Sequence, residues 1–185
     1  MENKETLYTL LVFSENTPGL LSQISAIFTR RQVNIESMNV CASSIPGIHK
    51  YTITCCCTEE MVKMLTLQME KRVDVIQARY YVDDELFMIE AALLKISTTR
   101  MLENPQISEI IRFHGGHIME VNPIYSTVEK IGRTSTILSL YEKLQEQGAV
   151  IQFVRTGRIC VTKGTDEPLD RYLAEREEKR TASQQ

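Results

Sequence analysis

Apolar and polar positions along the first half of the chain follow two different periods. Residues 7–13 form a short run of β-branched, aromatic and aliphatic side chains, which predicts a buried strand. Apolar residues then recur at helical spacing in one stripe: Leu20, Leu21, Ile24, Ile27 and Phe28. Residues 33–40 alternate with period two, and a turn at 43–47 separates them from a second run at 50–57, so these segments predict a hairpin.

A second helix and a further strand complete this unit. Thr58 precedes two glutamates, which is a helix-start signal, and Val62, Leu65 and Met69 share one helical face. Residues 73–81 then predict a strand. The resulting order, βαββαβ, folds as a split βαβ sandwich: a four-stranded antiparallel sheet with two helices on one face.

The second half repeats this order of elements after the acidic segment at 83–85. The pattern predicts strands at 91–96, 117–121, 126–130 and 150–154, a helix at 107–113, and a second helix that Thr134 caps and Gly148 ends. We therefore predict an α+β protein of two tandem ferredoxin-like domains, at 1–82 and 83–165. The charged segment 166–185 has few apolar residues and is predicted to be a flexible tail.

The turn after the first strand, Asn-Thr-Pro-Gly-Leu-Leu-Ser at 16–22, suits a small anionic ligand. Thr17 is a candidate N-cap with Pro18 at the first helical position, and Gly19 has no side chain to block an approaching ligand or chain. The free N–H groups of a helix start favour a carboxylate. An ordinary strand-to-helix turn explains the same residues equally well, because proline and glycine are common at helix ends.

Composition and charge exclude several classes of protein. The 185 residues are 43% hydrophobic, no apolar run approaches the roughly 20 residues of a membrane span, and the polar start lacks a signal-peptide pattern. The net charge is −3 and the basic residues are scattered, which argues against a nucleic-acid partner. We therefore expect a cytoplasmic protein with neither a nucleic-acid nor a membrane partner. Its five cysteines include no CxxC pair and are expected to be reduced, mostly buried thiols.

Catalytic and metal-binding interpretations are weak. His114 and His117 flank two glycines, but no further ligand at a known spacing completes a tetrahedral site, so a helix-to-strand turn explains them better. Gly-Arg-Thr-Ser at 132–135 lacks the first glycine and the lysine of a phosphate-binding loop. The cysteines at 55–57 have no identifiable activating histidine. We expect no catalytic residues and no metal site in this chain.

Segments of both halves resemble the regulatory small subunit of acetolactate synthase, also called acetohydroxyacid synthase, which begins with an ACT domain. These segments are NTPGLLS at 16–22, FTRR at 28–31, NIESM at 34–38, VDV at 73–75, EAALLKI at 90–96, TVE at 127–129 and RTGR at 155–158. Gln23 departs from the resemblance, since the family often has arginine there, and residues 83–88 diverge from the family linker.

The resemblance implies a non-catalytic subunit that binds and activates a catalytic large subunit and confers feedback inhibition by a branched-chain amino acid, usually valine. It implies no cofactor in this chain, with thiamine diphosphate, Mg²⁺ and FAD only in the catalytic partner. It also implies a homodimer formed by the ACT domains, with the effector between the protomers. The effector-binding residues that it implies are Asn16, Gly19, Leu20, Leu21, Asn34 and Ile35.

Two alternatives stay open at this point. Judged by periodicity alone, Leu21 and Ile35 are better explained as core residues than as pocket walls. The alternative function is a free-standing ACT-type amino-acid sensor that controls another enzyme or regulator.

Overall fold

The structure is a computed structural model that describes residues 5–164 together with Leu169, Leu173 and Ala174. In chain order the elements are β1 (Thr6–Glu15), α1 (Leu20–Arg30), β2 (Ser37–Ala42), β3 (Ile48–Cys57), α2 (Glu59–Glu70), β4 (Val75–Tyr81), β5 (Leu86–Ser97), α3 (Thr98–Glu103), α4 (Pro105–Phe113), β6 (His117–Val121), β7 (Tyr125–Gly132), α5 (Thr134–Glu146), β8 (Val150–Arg155) and β9 (Ile159–Thr162). Within the described residues, no helix is both long enough and apolar enough to cross a membrane.

The chain divides into two compact units. The first runs to Phe87 and takes in the described residues from Cys160 onward, and the second comprises Met88–Ile159. The domain limits inferred from the sequence, 1–82 and 83–165, stay predictions. Most of the predicted tail at 166–185 lies outside the described residues.

The first unit contains a four-stranded antiparallel sheet of order β2-β3-β1-β4, with α1 and α2 packed on one face. Every second residue of β1 contributes to the core beneath the helices, and the helical stripes supply the rest: Tyr8, Leu10, Val12, Leu20, Ile24, Ile27, Phe28, Val62, Leu65 and Met69. This arrangement confirms the split βαβ sandwich predicted from the order of elements.

Strand β1 is buried on its other face as well. Leu11 and Phe13, which point away from the helices, are as inaccessible as the core residues between them. A strand buried on both faces is apolar throughout instead of alternating, which accounts for the continuous apolar run that the sequence shows there. Leu169 belongs to the same compact unit and is 1% exposed, so the segment predicted to be a tail contains at least one fully buried anchor.

The second unit repeats the topology, with strand order β6-β7-β5-β8. Its core likewise combines strand and helix residues: Leu94, Ile96, Ile107, Ile111, Val128, Leu140 and Leu144. The two tandem ferredoxin-like folds are therefore confirmed. The six-residue α3 and the four-residue β9 were not predicted, because neither is long enough to show a hydrophobic period.

Several predicted element boundaries are wrong. Residues 33–35 are not part of a strand, because Gln32 leaves α1 in the left-handed conformation (φ 55°) and β2 begins only at Ser37. Val33 and Ile35 lie in the loop between α1 and β2 and pack against the core. Their alternation with polar residues therefore reflects the burial of their side chains and not pairing in a strand. Strand β5 begins at Leu86 and not at residue 91, since the acidic segment at 83–85 forms a single 3₁₀ turn that leads directly into the strand.

A buried carboxylate ties the second unit together. Glu90 on β5 is 3% exposed, and its Oε2 accepts a hydrogen bond from Arg155 Nη1 at 2.9 Å while Arg158 Nε lies 3.9 Å from Oε1. Thr134, predicted as an N-cap, is instead the first residue of α5 and donates its hydroxyl to Glu90 Oε1 at 2.5 Å. The N-cap position belongs to Arg133, which makes no side-chain cap. One carboxylate thus links β5, the start of α5 and the end of β8.

Candidate functional site

Two neighbouring segments hold the turn between β1 and α1. The Glu15 N–H donates to the carbonyl of Asp74, just before β4, at 2.9 Å. The Asn16 N–H donates to the carbonyl of Gly47, in the turn between β2 and β3, at 3.1 Å. Thr17 Oγ1 donates to the Asp74 carboxylate at 3.3 Å. The backbone of the turn is therefore fixed, while the Asn16 side chain is exposed.

Helix α1 begins two residues later than the sequence predicts. Its N-cap is Gly19 and not Thr17, whose hydroxyl is engaged by Asp74, and Pro18 therefore precedes the helix. Gly19 has φ 87° and ψ −9°, a left-handed conformation that strongly favours glycine. A Cβ added at Gly19 would meet no atom within 4 Å, so the approach to the helix start is open. Glycine is needed here for its backbone conformation as well as for its lack of a side chain.

The first turn of α1 presents free backbone donors. The first helical hydrogen bond runs from the Gln23 N–H to the Gly19 carbonyl at 3.2 Å. The N–H groups of Leu21 and Ser22 make no hydrogen bond to any residue that the structure describes. Because the positive end of the helix dipole lies at the same place, this turn favours a carboxylate or another small anion.

The two leucines of this turn differ in accessibility. Leu20 is completely buried in the core, and its N–H donates to the Thr17 carbonyl at 3.3 Å, so its side chain is not accessible to a ligand. Leu21 is 47% exposed, and its predicted place on the buried stripe of α1 is therefore wrong. Its exposed side chain lies beside the free N–H groups, where it provides an aliphatic surface next to an anion-binding turn.

Asn34 and Ile35 lie beyond the opposite end of α1. The helix has 11 residues, which at a rise of 1.5 Å per residue places about 16 Å between its ends. Asn34 is exposed and lines a cavity of about 360 Å³, and Ile35 is half-buried against the core. The six predicted site residues therefore form two groups, and a single chain does not bring them together.

Sequence reasoning missed two residues that shape the turn, Gly47 and Asp74. Both stand in recognisable segments, the Pro-Gly turn of the hairpin and the Val-Asp-Val at 73–75. Their contacts with residues 15–17 depend on which strands are neighbours in the sheet. A local pattern carries no signal for that arrangement.

The cysteines are all free thiols. Cys55 and Cys57 are buried on one face of β3 with their Sγ atoms 3.9 Å apart, whereas Cys56 between them is exposed. Burial raises the pKa of the Cys55 and Cys57 thiols above the ordinary value and so favours the neutral, unreactive form. Residues 114–116 form the predicted turn between α4 and β6, and His117 is the first residue of β6. Within the described residues no three His, Cys, Asp or Glu side chains are placed to hold a metal ion.

We expect iodoacetamide at about pH 8 to alkylate Cys56 well before Cys55 and Cys57 in the native protein, because the thiolate is the reacting species and burial limits both access and ionisation. Tandem mass spectrometry can localise the label within the single peptide that carries all three residues. The urea-unfolded chain is the control, in which the three thiols should react at similar rates. Equal labelling of all three in the native protein would contradict the buried placement.

The fold and the open helix start define a class: a protein of tandem ferredoxin-like domains, the first of them an ACT domain. Residues 10–77 match the family model described as an AHAS small subunit-like ACT domain, and residues 89–164 match the model described as the small subunit of acetolactate synthase. The chain belongs to the family of acetolactate synthase small subunits, which confirms the resemblance of its motifs.

Two curated relatives and one solved structure illustrate the match. The chain is 30% identical over 157 residues to the acetolactate synthase small subunit of Mycobacterium leprae, which covers 85% of this chain and 92% of that protein. It is 28% identical over 165 residues to the probable acetolactate synthase small subunit of Methanothermobacter thermautotrophicus, with 89% and 98% covered. The crystal structure of the small subunit from Thermotoga maritima superposes with a TM-score of 0.78 at 21% identity, over 87% of this chain and 99% of that one. At that identity the superposition supports the fold alone.

Proposed function

We propose that this chain is the regulatory, non-catalytic subunit of acetolactate synthase. It binds the catalytic large subunit, raises its activity and subjects it to feedback inhibition by a branched-chain amino acid, with valine the first candidate over isoleucine and leucine. The observation that carries this proposal is the match of both halves, and not of the ACT domain alone, to small subunits of this enzyme. Thiamine diphosphate, Mg²⁺ and FAD belong to the large subunit, and the complex is cytoplasmic.

The effector site is proposed to have two poles. The N–H groups at the start of α1 and the Asn16 amide hold the carboxylate of the amino acid. The side-chain carbonyl of Asn34 accepts a hydrogen bond from its ammonium group, and Leu21 and Ile35 contact its aliphatic side chain. Because the two poles lie about 16 Å apart in one chain, a second copy has to supply one of them.

The strand order supports this pairing of two copies. Strand β2 is an edge strand, and within the described part of the chain no strand pairs with its outer N–H and C=O groups. The last residue of β2, Ala42, pairs with His49. His49 lies next to the β1–α1 turn, because its neighbour Ile48 pairs with Glu15 at the end of β1. Asn34, in contrast, precedes the start of β2. Antiparallel pairing of two β2 strands about a two-fold axis sets the start of one beside the end of the other. Asn34 of one copy then faces the β1–α1 turn of its partner.

We expect a homodimer of twice the 21.2 kDa chain mass in light scattering at micromolar concentration, with little monomer. Val40→Lys on β2 should shift the protein toward monomer, because a lysine on an edge strand opposes further pairing. Val73→Lys is the matched control, since Val73 is fully exposed and precedes β4. A wild-type monomer at that concentration, with or without effector, would count decisively against the proposed pairing.

Co-purification with the candidate large subunit, followed by assays of 2-acetolactate formation from pyruvate with and without this chain, tests the proposed function. We expect the isolated chain to be inactive and the mixture to be more active than the large subunit alone. Turnover by the chain itself, or a large subunit unchanged in activity and sedimentation, would show the proposal to be wrong. A chain that binds a branched-chain amino acid but ignores the large subunit would instead identify a free-standing sensor.

A further inference from the structure

The C-terminal ends of α1 and α2 enclose a second cavity of about 360 Å³ in the first unit. Its lining consists of four cationic side chains and one amide: Arg30, Arg31, Gln68, Lys71 and Arg72. Arg30 and Arg31 come from the end of α1, and the other three come from the end of α2 and the turn that follows it. Among the residues that the structure describes, no acidic one lines this basic cavity.

The dipoles of α1 and α2 offset only part of the positive charge around the basic cavity. A helix C-terminus carries about half a negative charge, so two of them offset roughly one of the four positive charges. Within the described residues, no salt bridge or side-chain hydrogen bond engages Arg30, Lys71 or Arg72. Arg30, Lys71 and Arg72 alone therefore leave a local excess of about two positive charges, which does not follow from the average composition of a chain with a net charge of −3.

We propose that the basic cavity binds a small anion that carries a diphosphate or triphosphate group. The Arg30 and Arg72 guanidinium groups offer paired N–H donors in a fixed fork, and the Lys71 ammonium adds three more donors. A carboxylate has two oxygens and one charge, too few to engage these three cations, whereas linked phosphates supply both the oxygens and the charge. The volume falls within the range of about 300–1,000 Å³ that is usual for small-molecule sites, and its concave shape suits a compact ligand better than a protein surface.

This site differs from the proposed effector site in chemistry. It lies at the end of α1 opposite Gly19, next to the cavity that Asn34 lines, and Arg31 belongs to the lining of both cavities. An amino acid effector is a zwitterion and lacks the net negative charge that a cluster of cations selects. The proposal does not depend on the large subunit, so it can be tested on this chain alone and fails independently of the proposed function.

Isothermal titration of the full chain with sodium triphosphate tests the proposal, with Lys71→Gln and Arg72→Gln as test variants. Each variant should bind triphosphate at least about tenfold more weakly, the loss expected when one charge-assisted hydrogen bond is removed. Arg112→Gln is the matched control, because Arg112 is also an exposed arginine in the last turn of a helix but does not line the cavity. It should bind triphosphate as the wild type does.

A parallel titration with ATP identifies the source of the phosphates. Equal affinities for triphosphate and ATP indicate recognition of free polyphosphate, and tighter binding of ATP indicates a nucleotide. Absence of triphosphate binding at millimolar concentration overturns the proposal, as does an equal loss in Arg112→Gln. If triphosphate does not bind while Lys71→Gln and Arg72→Gln weaken association with the large subunit, the surface recognises an acidic protein and the proposal is also wrong.

Discussion

Replacing Glu90 with glutamine is expected to destabilise the second unit by about 1.5–3 kcal/mol, the range for a hydrogen bond to a charged group, because Glu90 is buried while Arg155 is 37% exposed. Glutamine keeps the shape of the side chain but not its charge. The Arg158 side chain is 11% exposed and would be left without its carboxylate, whereas Arg155 is more exposed and would recover part of its hydration. The bond from the Thr134 hydroxyl can survive, because the amide oxygen still accepts it.

Urea unfolding followed by far-ultraviolet circular dichroism measures this effect in a chain that has no tryptophan. Glu109→Gln is the control for a change of charge alone, since Glu109 is exposed on α4. The double variant Glu90→Gln with Arg158→Met should lose much less than the sum of the single variants, because the two side chains interact with each other. A loss below about 1 kcal/mol for Glu90→Gln, the level of a surface pair, would contradict the structural role assigned to the cluster.

Gly19→Asp and Asn34→Ala are expected to weaken feedback inhibition strongly while activation of the large subunit survives. Gly19→Asp places a negative charge next to the proposed position of the effector carboxylate and also forces a non-glycine residue into a left-handed conformation. Asn34→Ala removes a polar partner of the effector ammonium, which costs about 1–3 kcal/mol, or roughly a 5- to 150-fold loss of effector affinity. Gly19→Asn separates charge from strain, because asparagine has similar size and tolerates the left-handed region equally well.

Titration of valine, isoleucine and leucine against the reconstituted enzyme measures the inhibition constants of these variants. We expect Gly19→Asp to lose more inhibition than Gly19→Asn, and the dimer mass and thermal unfolding of each variant serve as folding controls. Wild-type inhibition of both Gly19→Asp and Asn34→Ala by all three amino acids would exclude the proposed effector site.

The hydrophobic pattern predicted the number, type and order of the main elements. Period-two and period-3.6 patterns are local consequences of which face a segment buries, and they are strong where the buried face is long, as in α1 and β3. They fail for α3 and β9, which are too short to show a period, and at residues 33–35, where apolar side chains reach the core from a loop. Once the order βαββαβ was known, the strand order followed from the few ways in which such units pack.

The sequence by itself thus determined the tandem ferredoxin-like architecture, the family and the turn at 16–22 as a candidate site. Only the tertiary structure decided that Gly19 caps α1, that Thr17 binds Asp74, and that Glu90 gathers two arginines and a threonine. It also showed that Gly19 and Asn34 lie at opposite ends of α1. The physical reason is the same in each case. Periodicity and propensity act over a few neighbouring residues, whereas these contacts join segments far apart in sequence, and their partners are chosen by the order and register of the strands.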